Sequence, residues 1–166
     1  MDLYKLFEAQ KILDGAILEE KKPEGGLLEK KIVAAQVEFA EFLNETRVFK
    51  FWSNKRADTS KVLEESADHL HFLLSIGLEL GFNKDFRVIN AIERSFKPPQ
   101  YTHNEIISEI QTYISMLNKI RDLHVYIAAF RQYLNIISHF GIDGIDLERE
   151  YYRKNKINHK RQAEGY

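Results

Sequence analysis

Along most of the chain apolar residues recur at intervals of three and four positions with polar residues between them, which is the period of amphipathic helices and not of strands. The spacing predicts a first helix over about Leu3 to Glu20, with Leu6, Leu13 and Ile17 on one side, ending at Lys22-Pro23-Glu24-Gly25-Gly26. A second helix is expected from Leu27 to about Phe51, with the stripe Ile32, Ala35, Phe39, Phe42, Thr46 and Phe49. Ser53 to Asp58 reads as a loop, Thr59 or Ser60 as the cap of a third helix through Leu80, and Gly81 as its end. A shorter helix from about Lys84 to Phe96 stops at Pro98-Pro99. Thr102 or Asn104 restarts the pattern, which runs in two segments to about His139 before Gly141 and Gly144. The last helix begins near Ile145 and carries a basic end with Arg149, Arg153, Lys154, Lys156, Lys160 and Arg161. The expected architecture is an all-α bundle of five to seven helices, with residues 1–166 as one domain.

Composition narrows this picture. A chain of 166 residues with 44% hydrophobic and 30% charged residues is neither disordered nor fibrous. Lys plus Arg number 24 against 25 Asp plus Glu, so no global field draws nucleic acid or an anionic membrane, and any phosphate recognition is local. Cysteine is absent, which excludes disulfides, thiolate metal sites and Cys nucleophiles, and a reducing cytoplasm is the expected compartment. No signal peptide is expected, because Met1 to Glu8 already mixes Asp2, Lys5 and Glu8 with apolar residues. Tyr126 to Ile142, the most apolar stretch, is interrupted by Arg131, Gln132 and His139 and is not expected to span a membrane.

Candidate chemistry lies in the carboxylates. On the second helix Glu38, Glu41 and Glu45 fall at about 0°, −60° and −20° for an advance of about 100° per residue, so all three share one edge beside the buried stripe. On the third helix Glu65 and Asp68 lie one turn apart with Phe72 on the same arc, while Leu63, Ala67, Leu70 and Leu74 occupy the opposite one. Two acidic faces that meet need a cation, and hard oxygen ligands suit Mg²⁺ or Mn²⁺ with positions left for water and phosphate oxygens. A chain with 25 acidic residues also shows such spacings by chance on solvated faces. A di-iron carboxylate site needs Glu-x-x-His on two helices, and only Asp68 and His71 approximate it.

The stretch from Glu38-Phe39-Ala40-Glu41 to Trp52-Ser53-Asn54-Lys55, followed by Glu64-Glu65-Ser66-Ala67-Asp68-His69-Leu70-His71-Phe72, resembles the dimeric, all-α dUTP diphosphatases. These belong with the MazG-like nucleotide pyrophosphatases, whose shared signature is E-x-x-E, a spacer and E-x-x-D. The terminal run Tyr152 to Tyr166 is similar to that family's closing motif, whereas Phe82 to Leu147 carries no matching motif. The resemblance implies Mg²⁺-dependent hydrolysis of dUTP to dUMP and pyrophosphate, with attack at the β-phosphorus, by a homodimer. It implies that Glu38, Glu41, Glu65 and Asp68 are Mg²⁺ ligands, with Mn²⁺ as a substitute, that Glu41 is the base and that Glu45 is a nearby carboxylate. Glu64 is the rival ligand, but it lies about 100° from Glu65 and off the Asp68 arc. Lys154, Asn158 and Arg161, at i, i+4 and i+7, are the implied phosphate contacts, with Lys55 a further candidate. Gln10, Trp52, His71 and Phe72 are the implied nucleoside contacts; the Gln10 amide both donates and accepts, and Phe72 is suited to pack on deoxyribose.

Tyr113, Tyr126, Phe130, Tyr133, Leu134 and Ile137 form a broad apolar stripe that reads either as a dimer seam or as the core of one chain. Alternatives to the uracil reading are a related pyrophosphatase acting on dCTP or a modified pyrimidine, and a non-catalytic helical interaction module.

Overall fold

The computed structural model describes residues 1–93 and 101–165. Among these residues the chain is all-α: α1 (Leu3–Lys21), α2 (Leu27–Thr46), α3 (Thr59–Glu79), a 3-10 turn (Phe82–Lys84), α4 (Phe86–Glu93), α5 (His103–Leu117), α6 (Leu123–His139) and α7 (Gly144–Ala163). Short acceptor side chains start most of these helices. Asp2, Asp58, Asp122 and Asp143 cap α1, α3, α6 and α7, and Thr102 with Glu105 closes a capping box on α5.

Three boundaries differ from the sequence expectation. Asp58, not Thr59 or Ser60, caps α3, its Oδ1 accepting from the amides of Ser60 (3.1 Å) and Lys61 (3.4 Å). A carboxylate there also meets the positive end of the helix dipole. Second, α2 stops at Thr46 and not near Phe51. Arg47 adopts a left-handed conformation at φ 60° and returns its amide to the Leu43 carbonyl, while the Thr46 hydroxyl donates to that same carbonyl at 2.8 Å. Phe49 therefore leaves the buried stripe, and Phe51 and Trp52 stand 95% and 65% exposed. Third, α4 begins at Phe86, after the 3-10 turn, because the Asp85 side chain accepts from the Arg87 amide. The expected helix end at Phe96 and the Pro98-Pro99 stop lie outside the described residues.

The site is positioned by α3, which packs against α1, α2, α6 and α7. Its apolar face buries Val62, Ala67, Leu70, Leu73, Leu74 and Ile76. Gly77 lets α6 close on α3, since a β-carbon there would overlap the Tyr126 hydroxyl. Tyr126 donates to the Leu73 carbonyl (3.0 Å) and Tyr133 to the Ser66 carbonyl (2.6 Å). The stripe Tyr113, Tyr126, Phe130, Tyr133, Leu134 and Ile137 is fully buried within one chain, so it is core and not a dimer seam. Burying an aromatic of this size contributes about 2 kcal/mol or more, and the two hydroxyls keep their bonds by reaching α3 carbonyls. Among the described residues no helix is long and apolar enough to cross a membrane.

Candidate metal centre and nucleotide cleft

Side-by-side packing of α2 and α3 brings their acidic edges together. Glu38 from α2 and Glu65 and Asp68 from α3 each offer a carboxylate oxygen, all within 4.8 Å of one another. This crowding is visible in their proton affinities. Burial raises Glu38 to about 7, and the charges of Asp68, Glu41 and Glu65 push it the same way. Burial, then Asp68 and Glu41, also lifts Glu65. Asp68 is raised by burial even though Lys154 opposes the shift. Three partly desolvated carboxylates that repel one another fit a divalent cation better than they fit solvent.

Glu41 and Glu45, the other acids of α2, stand apart from this triplet. Glu41 is exposed but close enough for its charge to act on Glu38 and Glu65. Glu45 accepts a hydrogen bond from the Asn44 amide at 3.3 Å. Glu64 turns to α7, where Lys154 Nζ lies 3.0 Å and Arg153 3.6 Å away, and the Lys154 contact holds its carboxyl below the usual range.

A cation from the chain borders the acidic group. Lys154 is buried, with Nζ 2.7 Å from Asp68 Oδ2. Burial alone would depress its ammonium, but hydrogen bonds to Asp68 and Glu64 outweigh that cost and raise it. The ring of Tyr151, one turn earlier on α7, stacks on His71 with centroids 4.2 Å apart, and this contact sets α7 against α3.

Next to the triplet a cleft of about 260 Å³ opens between α1, α3 and α7. Its wall includes Glu38 and Asp68 from the acidic group, Gln10 from α1, His71 and Phe72 from α3, and Asn158 and Arg161 from α7. Residues predicted from four separate helices thus converge on one cavity. His71 is buried, and that burial pulls its imidazole down to about 3, so the ring is neutral. Its Nδ1 meets Gln10 Oε1 at 2.7 Å. Lys154 flanks the acids, and the cleft lining does not include it. Trp52 and Lys55 are not brought to the cleft: both lie exposed in the segment between α2 and α3, where the Trp52 ring meets Phe49 and Phe51 at centroid distances of 6.0 and 5.0 Å.

Sequence reasoning missed Asp14 and Ser75, which line the same cleft. The only signal for Asp14 was its position one turn beyond Gln10, where its Oδ1 accepts the Gln10 amide at 2.7 Å. Buried Lys31 was missed as well; its Nζ reaches Asp14 Oδ2 at 3.2 Å and Glu79 at 3.0 Å. A second cavity of about 280 Å³ adjoins the first through Asp14, Ile17, Phe72 and Ser75, but its exposed wall is almost wholly apolar.

An all-α chain with paired carboxylates on two adjacent helices, a cationic third helix and a polar cleft beside them has the layout of a helical nucleotide hydrolase. The family model described as dUTPase matches residues 2–166, essentially the entire chain, and the chain belongs to the dUTPase family. It is thereby a dUTP diphosphatase. A comparison with curated proteins found no match.

Proposed function

We propose that the chain hydrolyses dUTP to dUMP and pyrophosphate in a Mg²⁺-dependent reaction at the cleft between α1, α3 and α7. The observation that carries this reading is the convergence of Glu38, Glu65 and Asp68 within 4.8 Å of one another, with Glu38 and Asp68 also on the wall of the adjoining cleft. These three residues, with Glu41 one turn along α2, would hold the ion. When bound, it supplies positive charge to the phosphate oxygens and acidifies water.

The chain's own groups do the rest. Glu41 accepts the proton of the attacking water, and Glu45 stands behind it on the same helix edge. Attack at the β-phosphorus breaks its bond to the bridging oxygen, which leaves with dUMP while the water oxygen stays in pyrophosphate. Arg161 and Asn158 on the cleft wall, and Lys154 beside Asp68, orient the triphosphate from the α7 side. Lys55, exposed in the loop after α2, contacts phosphate only if that loop, or that of a second copy, closes over the cleft. Gln10, His71 and Phe72 receive the nucleoside, and Phe72 packs on the deoxyribose. Trp52 joins this pocket only if its loop, or that of a second copy, closes over the base.

The active species in this reading is a cytoplasmic homodimer. The apolar groups that support pairing are exposed Val33 and Val37 on α2 together with Phe49, Phe51 and Trp52, and not the stripe on α6.

Pyrophosphate release measured on dUTP and the four common deoxynucleoside triphosphates, in EDTA and then with excess Mg²⁺, tests the reading. Release from dUTP alone, and only with the metal, is the expected result. Equal rates on all five nucleotides, or full activity in EDTA, would contradict it.

A further inference from the structure

Gln10 is held by a chain of buried and half-buried polar groups that runs along the cleft wall to Lys31. Its Oε1 faces His71 Nδ1 at 2.7 Å and the donating Tyr151 hydroxyl at 3.0 Å. Its Nε2 donates to Asp14 Oδ1 at 2.7 Å. The other Asp14 oxygen accepts from the Ser75 hydroxyl and from Lys31 Nζ. An ionised carboxylate accepts only and an ammonium donates only, so the sense of every bond in this chain follows from the Lys31–Asp14 ion pair. Turning the Gln10 amide over would set its oxygen against Asp14 Oδ1, acceptor against acceptor, and its NH₂ against His71, which would then have to move its proton to Nε2.

We propose that Asp14, held by Lys31 and Ser75, is a positioning residue for base recognition: it orients the Gln10 amide and, through it, the tautomer of His71. With Gln10 Oε1 as acceptor, neutral His71 carries its proton on Nδ1 and keeps a lone pair on Nε2, a buried atom with no well-aligned hydrogen bond among the described residues, although the Tyr151 backbone also acts on the ring. Among the described residues Gln10 donates one amide hydrogen, to Asp14, and keeps the other uncommitted. The donor and acceptor pattern of this wall is therefore set by a charge pair outside the triphosphate site. Uracil and cytosine present inverted donors and acceptors at ring positions 3 and 4, so a wall that cannot invert discriminates between them.

The proposal rests on reading the cleft as the nucleoside site, and the test separates the two. Asp14→Asn is the informative change. An amide that keeps its oxygen toward Ser75 and Lys31 turns its NH₂ toward Gln10, donor against donor, and forces the Gln10 amide over. Steady-state kinetics on dUTP and dCTP are compared for the wild type, Gln10→Ala, Asp14→Asn and the double variant, with melting curves for each. Expected is a rise of about tenfold in KM for dUTP in both single variants, the scale of a lost hydrogen bond in a dry site, with kcat in Asp14→Asn within about twofold of wild type. The dUTP preference over dCTP falls in Asp14→Asn, and the double variant is no worse than Gln10→Ala, because both changes act through one amide. A normal KM and preference in Asp14→Asn beside a raised KM in Gln10→Ala would overturn the positioning role alone. A normal KM in Gln10→Ala would overturn the nucleoside reading and this proposal with it. If Asp14→Asn melts below the assay temperature, Ser75→Ala decides: KM raised about twofold supports the relay, and an unchanged KM overturns it.

Discussion

Two buried histidines, His69 and His71, sit two residues apart on α3 and face different environments. His69 looks into the core, with Nδ1 against the Ala35 carbonyl at 2.8 Å and Nε2 against the Tyr113 hydroxyl at 2.5 Å, so both ring nitrogens are engaged by α2 and α5. His71 looks toward α1, α7 and the cleft, with one nitrogen on Gln10 and the other without a well-aligned hydrogen bond among the described residues, the Tyr151 backbone lying beside the ring. Burial pulls both imidazoles down to about 3. Burial and proton affinity therefore do not distinguish them. What differs is where the hydrogen bonds lead: on the core side to a closed set of partners that fixes helix packing, on the cleft side through Gln10 and Asp14 to Lys31, with capacity left for a ligand. Packing is finished on one side of α3, and the other side borders a cleft.

The sharpest way to break this division is to alter each side and ask which property fails. Asp68→Asn, on the cleft side, is expected to lower kcat/KM by about a thousandfold or more, because it removes a charge acting on the transition state. Its melting temperature should change little, because relief of repulsion among the acids is offset by loss of the Lys154 ion pair, which Glu64 still partly answers. A large fall in melting temperature would mean that the acids are structural. His69→Ala, on the core side, should do the reverse. It leaves the Tyr113 hydroxyl unpaired and opens a cavity, a loss of about 3 kcal/mol in denaturant unfolding, while KM for dUTP stays near wild type. A raised KM with normal stability would move His69 to the functional side.

The same contrast has a pH signature. Glu38 titrates at about 7 in the fold against 4.5 unfolded, so the folded state resists its ionisation, and the associated stability is present below pH 4.5 and lost as pH rises through about 7. The histidines act in the opposite direction, because the unfolded chain binds their protons more readily, so stability falls as pH drops below 6.5. Glu38→Gln isolates the first effect. In EDTA its stability relative to wild type should climb between pH 4.5 and 7, and excess Mg²⁺ should close that gap at pH 7 by stabilising only the wild type. A pH-independent difference would place Glu38 outside the crowded group.

The smallest effect on folding is expected in the loop after α2. Changing Phe51 and Trp52 together to serine should move stability by no more than about 0.5 kcal/mol, since both stand clear of the core. Sedimentation equilibrium of the same variant should show a weaker self-association. Unchanged association would remove this patch from the proposed subunit contact.

The helical bundle and the acidic edges were legible because they depend on neighbours three and four positions apart, as in Glu38 with Glu41 and Glu65 with Asp68; of the observed N-terminal caps, only Thr102 was among the residues expected. The end of α2 was not, because it depends on Arg47 taking a left-handed conformation, and nothing in a run of Phe49, Phe51 and Trp52 signals that turn. Asp14, Ser75 and Lys31 were illegible for a different reason. Each looks like a surface residue of its own helix, and the meeting of α1, α2 and α3 alone makes them one buried chain. The stripe from Tyr113 to Ile137 shows the limit of periodicity, which identifies a face to be buried but not what buries it; the bonds of Tyr126 and Tyr133 to α3 carbonyls answer that.

A crystal structure with Mg²⁺ and a non-hydrolysable dUTP analogue tests the central claim most directly. The account predicts ion density about 2.1 Å from oxygens of Glu38, Glu65 and Asp68, with the analogue's phosphates between that ion and α7 and its base against Gln10 and His71. An ion bound elsewhere, or an analogue seated outside the cleft between α1, α3 and α7, would contradict it.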